Sequence, residues 1–185
     1  MIHEKIENIL PDVFNKSIIK STKSWNGWSQ DSTVDIKSGE TYSEFDTGWS
    51  IRTFSERMDS VNDFRMFTLG VLLLDTIMQK SGKTYIDYRL DRIYVNSYNK
   101  SSYCPMHVDG DNYSYDRNVC SCIYFLDSSK GSYTEILGTK FYSQSGSCII
   151  FDSNDLHSAS GAIEDKERHT INLMFSYTGT TNAKA

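Results

Sequence analysis

The stretch that decides the fold runs from Arg89 to Asn112, "RLDRIYVNSYNKSSYCPMHVDGDN". Its first ten residues, Arg89 to Tyr98, are rich in β-branched and aromatic side chains and run into the polar cluster Asn-Lys-Ser-Ser, the pattern of a strand followed by a turn. The second half is too polar for a plain core strand and carries His107 and Asp109 two positions apart. Side chains alternate along an extended backbone, so this imidazole and this carboxylate share a side and can reach one point. Taken alone, the pair is also what a turn histidine beside a hydrogen-bonded aspartate looks like.

Beyond this stretch the period of two returns in "VCSCIYFLD" (119–127), "SCIIFD" (147–152) and "HTINLMFSY" (169–177), each bounded by Gly, Ser, Asp or Asn. Before it, "VNDFRMFTLGVLLLDTIMQKSGK" (61–83) sets Phe64, Phe67, Val71, Leu74 and Met78 on one helical stripe, with Ser60 or Asn62 as N-cap and Gly82 as the stop. The first twenty residues place Ile6, Ile9, Leu10, Val13, Phe14 and Ile18 at near-helical spacings interrupted by Pro11, which predicts short helices. Trp25 to Trp49 reads as a long loop or hairpin. Helices first and strands after predict an α+β chain whose second half is an antiparallel sandwich or barrel.

The 185 residues, 38% of them hydrophobic, suit one compact domain. A formal charge of −5 supplies no basic field, so nucleic acid is not an expected partner. The longest apolar run, "GVLLL" (70–74), is far too short to span a bilayer, and the N-terminal text lacks the pattern of a secretory signal. The expectation is a soluble, cytoplasmic protein without a membrane partner. The cysteines at 104, 120, 122 and 148 lack metal-type CxxC spacing and read as reduced, buried thiols.

His157 follows "SCIIFD" by a short loop, fifty residues after His107. Two neutral imidazoles and one carboxylate make the facial triad of non-heme Fe(II) oxygenases, which leaves three adjacent coordination positions for reactants. Arg168, eleven residues beyond His157, opens the last apolar strand. Pointing into a barrel it needs an anion, and its planar fork suits a carboxylate. On a surface it would pair with Glu164, Asp165 or Glu167 instead.

In order and spacing, Tyr98, His107-Val-Asp109, "CIYFLD", "GSCIIFDSNDLHSA" and the text from Arg168 to Phe175 resemble the Fe(II)/2-oxoglutarate-dependent dioxygenases, and within them the prolyl-4-hydroxylase-like branch. The resemblance covers residues 86–178. It implies a single domain over 1–185: a double-stranded β-helix (jelly-roll, cupin-like) core at 85–178, with residues 1–84 as helical support and lid loop. It also implies that His107, Asp109 and His157 hold Fe(II) and that Arg168 grips the C5 carboxylate of 2-oxoglutarate. Tyr98 takes the position that contacts this co-substrate, and Thr170 adds a hydroxyl beside Arg168. A second co-substrate tyrosine falls on Tyr124 unless Phe125 is the residue facing inward.

The implied reaction is hydroxylation of a C–H bond with O2 as second co-substrate, release of succinate and CO2, and ascorbate as supporting reductant. The expected substrate is a peptidyl residue, in the manner of a prolyl hydroxylase. A small metabolite or free amino acid is the alternative, and a cupin-like barrel that binds metal or ligand without oxidising anything is the alternative of another class. The branch's tight Gly-Gly turn is replaced by "KGSYTEILG" (130–138), where Gly131, Thr134 and Glu135 correspond to it. The loop Gly110 to Asn118, with Tyr113, Tyr115, Asp116 and Arg117, is expected to rim the site, and Ser38 to Arg52, with Trp49 and Arg52, to act as a lid.

Overall fold

Alternation along four long strands sorts the chain into a helix side and a barrel side. The computed structural model describes residues 2–24, 29–31, 48–55, 60–61, 64–100, 102–110, 117–161 and 167–182. In chain order the elements are β1 (Ile2–Ile6), α1 (Asp12–Lys23), β2 (Ser29–Asp31), β3 (Gly48–Ser55), β4 (Ser60–Val61), α2 (Phe64–Lys80), β5 (Lys83–Ile86), β6 (Arg89–Tyr98) and β7 (Tyr103–His107). They continue with β8 (Asn118–Phe125), β9 (Tyr133–Ile136), β10 (Thr139–Tyr142), β11 (Cys148–Asp152), β12 (His157–Ser160), β13 (Arg168–Tyr177) and β14 (Gly179–Asn182).

An eight-stranded sheet runs β1-β11-β8-β13-β6-β3-β2 with β4 on β3, and a four-stranded sheet runs β10-β9-β12-β7. β5 and β14 form a separate pair. Two antiparallel sheets with two helices against the larger one make the double-stranded β-helix, or jelly roll, expected from the sequence.

On the helix side, Cys120, Cys122 and Tyr124 of β8 join Cys148 and Ile150 of β11, Ile171, Leu173 and Phe175 of β13, and Ile93 and Val95 of β6. Met66, Leu73, Leu74 and Ile77 of α2 pack on them. The residues between, Ile123 and Phe125 of β8 and Ile149 and Phe151 of β11, turn the other way and meet Ile136 of the smaller sheet. That smaller cluster closes the barrel interior with apolar side chains. By the same alternation Arg92, Tyr94, Asn96 and Tyr98 share the barrel face of β6.

Two sequence expectations are corrected in the first half. Residues 2–6 are a strand rather than a helix, because β1 finds a partner in β11, with Ile6 opposite Cys148. Of the stretch read as a long loop or hairpin, the described residues are the two arms of a hairpin, β2 antiparallel to β3, and β3 joins the large sheet beside β6. Residues 32–47, which include lid positions 38–47, lie outside the described ones, and lid positions 48–52 belong to β3. The helix at α2 is correct, but its buried stripe is Met66, Gly70, Leu73, Leu74 and Ile77, while Phe64 is exposed. The segment is apolar nearly all round, so periodicity could not fix its phase, and close packing did. A Cβ at Gly70 would lie 2.0 Å from Ile93 Cδ1, so only glycine lets α2 settle this close to β6. No helix among the described residues is long and apolar enough to cross a membrane.

Candidate metal centre

β7 ends on His107 and β12 begins on His157, and the two histidines are register partners across the smaller sheet. Asp109 follows β7 by two residues, and its N–H donates to the Ser153 carbonyl in the turn between β11 and β12 (2.9 Å). Gly110 permits that approach, since a Cβ there would meet Asn154 Oδ1 at 2.5 Å and Ser153 Oγ at 2.6 Å. One donor atom from each of His107, Asp109 and His157 lies within 4.8 Å of the others, an arrangement that can hold a metal ion.

The rings are oriented by the backbone. Nδ1 of His107 is 2.8 Å from the Pro105 carbonyl, and Nδ1 of His157 is 3.0 Å from that of Asp155. A carbonyl only accepts, so each Nδ1 carries hydrogen, and in the neutral imidazole Nε2 offers its lone pair. This outer hydrogen bond is the usual arrangement for a metal-ligating histidine. The ring centroids are 4.1 Å apart, and Phe151 packs edge-on against His157 at 4.8 Å.

Asp109 is held at both oxygens. Arg92 Nη2 donates to Oδ1, and Ser121 Oγ donates to Oδ2 (2.7 Å), which also lies 3.4 Å from His157 Nε2. Burial alone would raise the Asp109 carboxyl, but the Arg92 guanidinium, then His157 and His107, hold it well below the usual carboxylate range. Burial lowers His157 despite that carboxylate. Burial also opposes charge on His107, yet Cys104, whose Sγ is 3.6 Å from Nδ1, and Asp109 push it up to about 9.

Arg168 sits directly opposite Tyr98 in the β13–β6 register and is 1% exposed. Its Nε donates to Ser143 Oγ (3.1 Å), Nη1 to the Ser160 carbonyl (3.0 Å) and Nη2 to Thr134 Oγ1 (2.6 Å). The Tyr98 and Phe125 rings lie 5.4 and 5.6 Å from its guanidinium carbon. Its burial removes the surface reading, and no carboxylate among the described residues pairs with it; Glu164 and Asp165 lie outside those residues. A guanidinium has five N–H donors, and the described residues take three of them, which leaves two for a ligand.

Thr170 lies on the same face, two residues along, and donates to Asn172 Oδ1 (3.0 Å). The fold turns Tyr124 away from the site: its hydroxyl donates to Asn15 on α1 (2.6 Å), and its ring belongs to the helix-side core. Strand alternation gives the barrel-facing place to Phe125. Arg117 is likewise withdrawn from the rim, donating to Asp87 and Ser176. Tyr113, Tyr115 and Asp116 lie outside the described residues, as do the side chains of Trp49 and Arg52.

Sequence reasoning missed Arg92, Ser121 and Ser143, and used Thr134 only as a turn marker. Parity was the available signal for Arg92, since it shares a strand face with Tyr98, and for Ser121, which shares one with Phe125. Asn96 also stands on the Tyr98 face, 2% exposed, with its Oδ1 accepting no hydrogen bond among the described residues.

No family model matches the sequence. No curated protein matches it either. Solved structures do, and they are 2OG-Fe(II) oxygenases by fold, so the chain has the fold of that class. The viral collagen prolyl hydroxylase of Paramecium bursaria Chlorella virus-1, solved as a 2OG complex, superposes with a TM-score of 0.61 at 17% identity over 94% of this chain and 95% of its own. A 2OG-Fe(II) oxygenase family oxidoreductase from Burkholderia pseudomallei gives 0.64 at 17% identity, over 92% and 82%. The non-heme α-ketoglutarate-dependent epimerase SnoN of nogalamycin biosynthesis gives 0.65 at 10% identity, over 97% and 80%.

Proposed function

We propose that this protein is an iron(II)- and 2-oxoglutarate-dependent oxygenase that hydroxylates a C–H bond, with a peptidyl residue of prolyl type as substrate. One observation carries the reading: a His-Asp-His cluster and a buried arginine that has no carboxylate partner among the described residues occupy the same barrel. A cupin-like binding module would have no use for the second feature. The donor set of two imidazoles and one carboxylate fits iron(II), and with iron and 2-oxoglutarate bound the centre supplies oxidation of a C–H bond by O2, yielding succinate and CO2.

The chain's own share is binding and orientation. Nε2 of His107 and of His157 and one oxygen of Asp109 hold the ion, and the Pro105 and Asp155 carbonyls keep both rings turned toward it. Arg168 holds the far carboxylate of 2-oxoglutarate with its two remaining donors, aimed by Ser143, Ser160 and Thr134. Phe125 covers the guanidinium, and the Ile123–Phe151 cluster behind it excludes water and strengthens that pair. A prolyl-type peptide is favoured because the viral collagen prolyl hydroxylase matches this chain nearly end to end over both lengths.

Anaerobic titration of the Fe(II)-loaded protein with 2-oxoglutarate is expected to produce the metal-to-ligand charge-transfer absorption of the chelate. Adding O2, ascorbate and proline-rich peptides is then expected to give succinate and peptide heavier by one oxygen. Absence of the band rejects the oxygenase reading. A band with oxygen gained only by small metabolites rejects the peptide substrate alone.

A further inference from the structure

We infer that Arg92 is a positioning residue that makes Asp109 a one-oxygen ligand and so keeps a coordination position open for the co-substrate. The inference rests on the metal-binding reading above. The two oxygens of Asp109 are assigned different work. Oδ2 lies 3.4 Å from His157 Nε2, close to the roughly 3 Å that separates two donors at right angles around an ion with bonds of about 2.1 Å. Ser121 also donates to Oδ2, a bond that leaves the second lone pair of that oxygen for the ion.

Oδ1 is engaged by Arg92 Nη2, and both side chains are 13% exposed, so water does not compete freely for either. Tyr94, two residues along β6, stacks 4.5 Å from the Arg92 guanidinium carbon and fixes the plane of the fork. A carboxylate can bind a metal through one oxygen or two. Through two, Asp109 would take a fourth position, and only two would remain where a chelating 2-oxo acid and O2 together need three.

Charge separates this role from simple support of the metal. A cation beside the site opposes a dication, so Arg92 does not serve to raise metal affinity. Removing it is expected to spare or tighten metal binding while co-substrate binding weakens, whereas a purely structural arginine would lower both together with folding stability.

The test uses the whole protein with Co(II), whose visible absorption reports coordination number, and 2-oxoglutarate. Arg92→Met is expected to keep Co(II) affinity within about threefold of wild type, to change the Co(II) spectrum, and to weaken 2-oxoglutarate binding by about 10–100-fold, the usual scale for an outer partner of a metal ligand. Arg92→Lys, which can still donate to Oδ1, is expected to recover most of the 2-oxoglutarate affinity and the wild-type spectrum. If Arg92→Met does not fold, Arg92→Gln should show the same split at smaller size. Equal loss of both affinities, no change in either, or an unaltered Co(II) spectrum overturns the role of Arg92. Failure of wild-type protein to bind Co(II) or 2-oxoglutarate overturns the oxygenase reading, and the inference with it.

Discussion

Arg168 and Tyr98 face each other across the β13–β6 pair, and the guanidinium carbon stands 5.4 Å from the tyrosine ring. A buried cation is thus positioned by hydroxyls, one carbonyl and two rings, with its charge unmatched among the described residues. Arg168→Gln retains some donors and loses the charge. It is expected to weaken 2-oxoglutarate about 10–150-fold, the range of one charge-assisted contact of about 1.5–3 kcal/mol, while metal affinity holds. Calorimetric titration of the Mn(II)-loaded protein under air checks both numbers, and equal 2-oxoglutarate affinity would refute the assignment.

Metal binding should depend on pH with a definite sign. His107 is pushed up to about 9 in the metal-free protein, so below that pH it carries a proton the ion has to displace. Affinity for Mn(II) is therefore expected to rise about tenfold per pH unit between 7 and 9 and to level off above. His157, lowered by burial, adds no further slope in this window. A flat profile would show that His107 is neutral before the ion arrives. His107→Ala and His157→Ala should each reduce affinity by at least about 10–100-fold.

The outward turn of Tyr124 leads to a separation of effects. Tyr124→Phe removes the donor to Asn15 Oδ1, and Asn15 is fully buried. The cost should be about 1–3 kcal/mol of stability, because a buried acceptor is left unpaired. Affinity for 2-oxoglutarate should be unchanged, and a tenfold loss would return Tyr124 to the site. Urea unfolding beside a binding titration distinguishes these.

The thiols make a fourth check. All four cysteines are free and buried, and burial pushes Cys120 up to about 12. Reaction with an aromatic disulfide reagent at pH 8 should be slow in native protein and reach four thiols on unfolding. Fast labelling of one or two in the native state would contradict this packing.

What was legible depended on which neighbour decides a residue's place. The strands at 89–98 and 168–177 write their own period of two, while the barrel positions of Arg168 and Tyr98 came from the family resemblance. The triad was legible because two histidines at strand ends and one aspartate just beyond share one chemical purpose and match the family's order and spacing. β1 was not, since "IHEKI" becomes a strand only by meeting β11 across more than 140 residues. The phase of α2 was hidden for a similar reason: an all-round apolar helix is oriented by the sheet it meets, here through Gly70 and Ile93. The choice between Tyr124 and Phe125 turned on the neighbouring residue Asn15, 109 positions away.

β1 has a consequence of another kind. β11 carries "CIIFD" with its first four residues fully buried, and without β1 it would be the outermost strand of its sheet. A bare apolar rim of that sort recruits the backbone of other chains. Glu4 fastens the cover, its carboxylate accepting hydrogen bonds from Ser81 Oγ and from the Gly82 N–H at the end of α2. A five-residue ribbon and one carboxylate latch therefore replace an apolar outer strand with one that carries His3, Glu4 and Lys5, far from the chemistry.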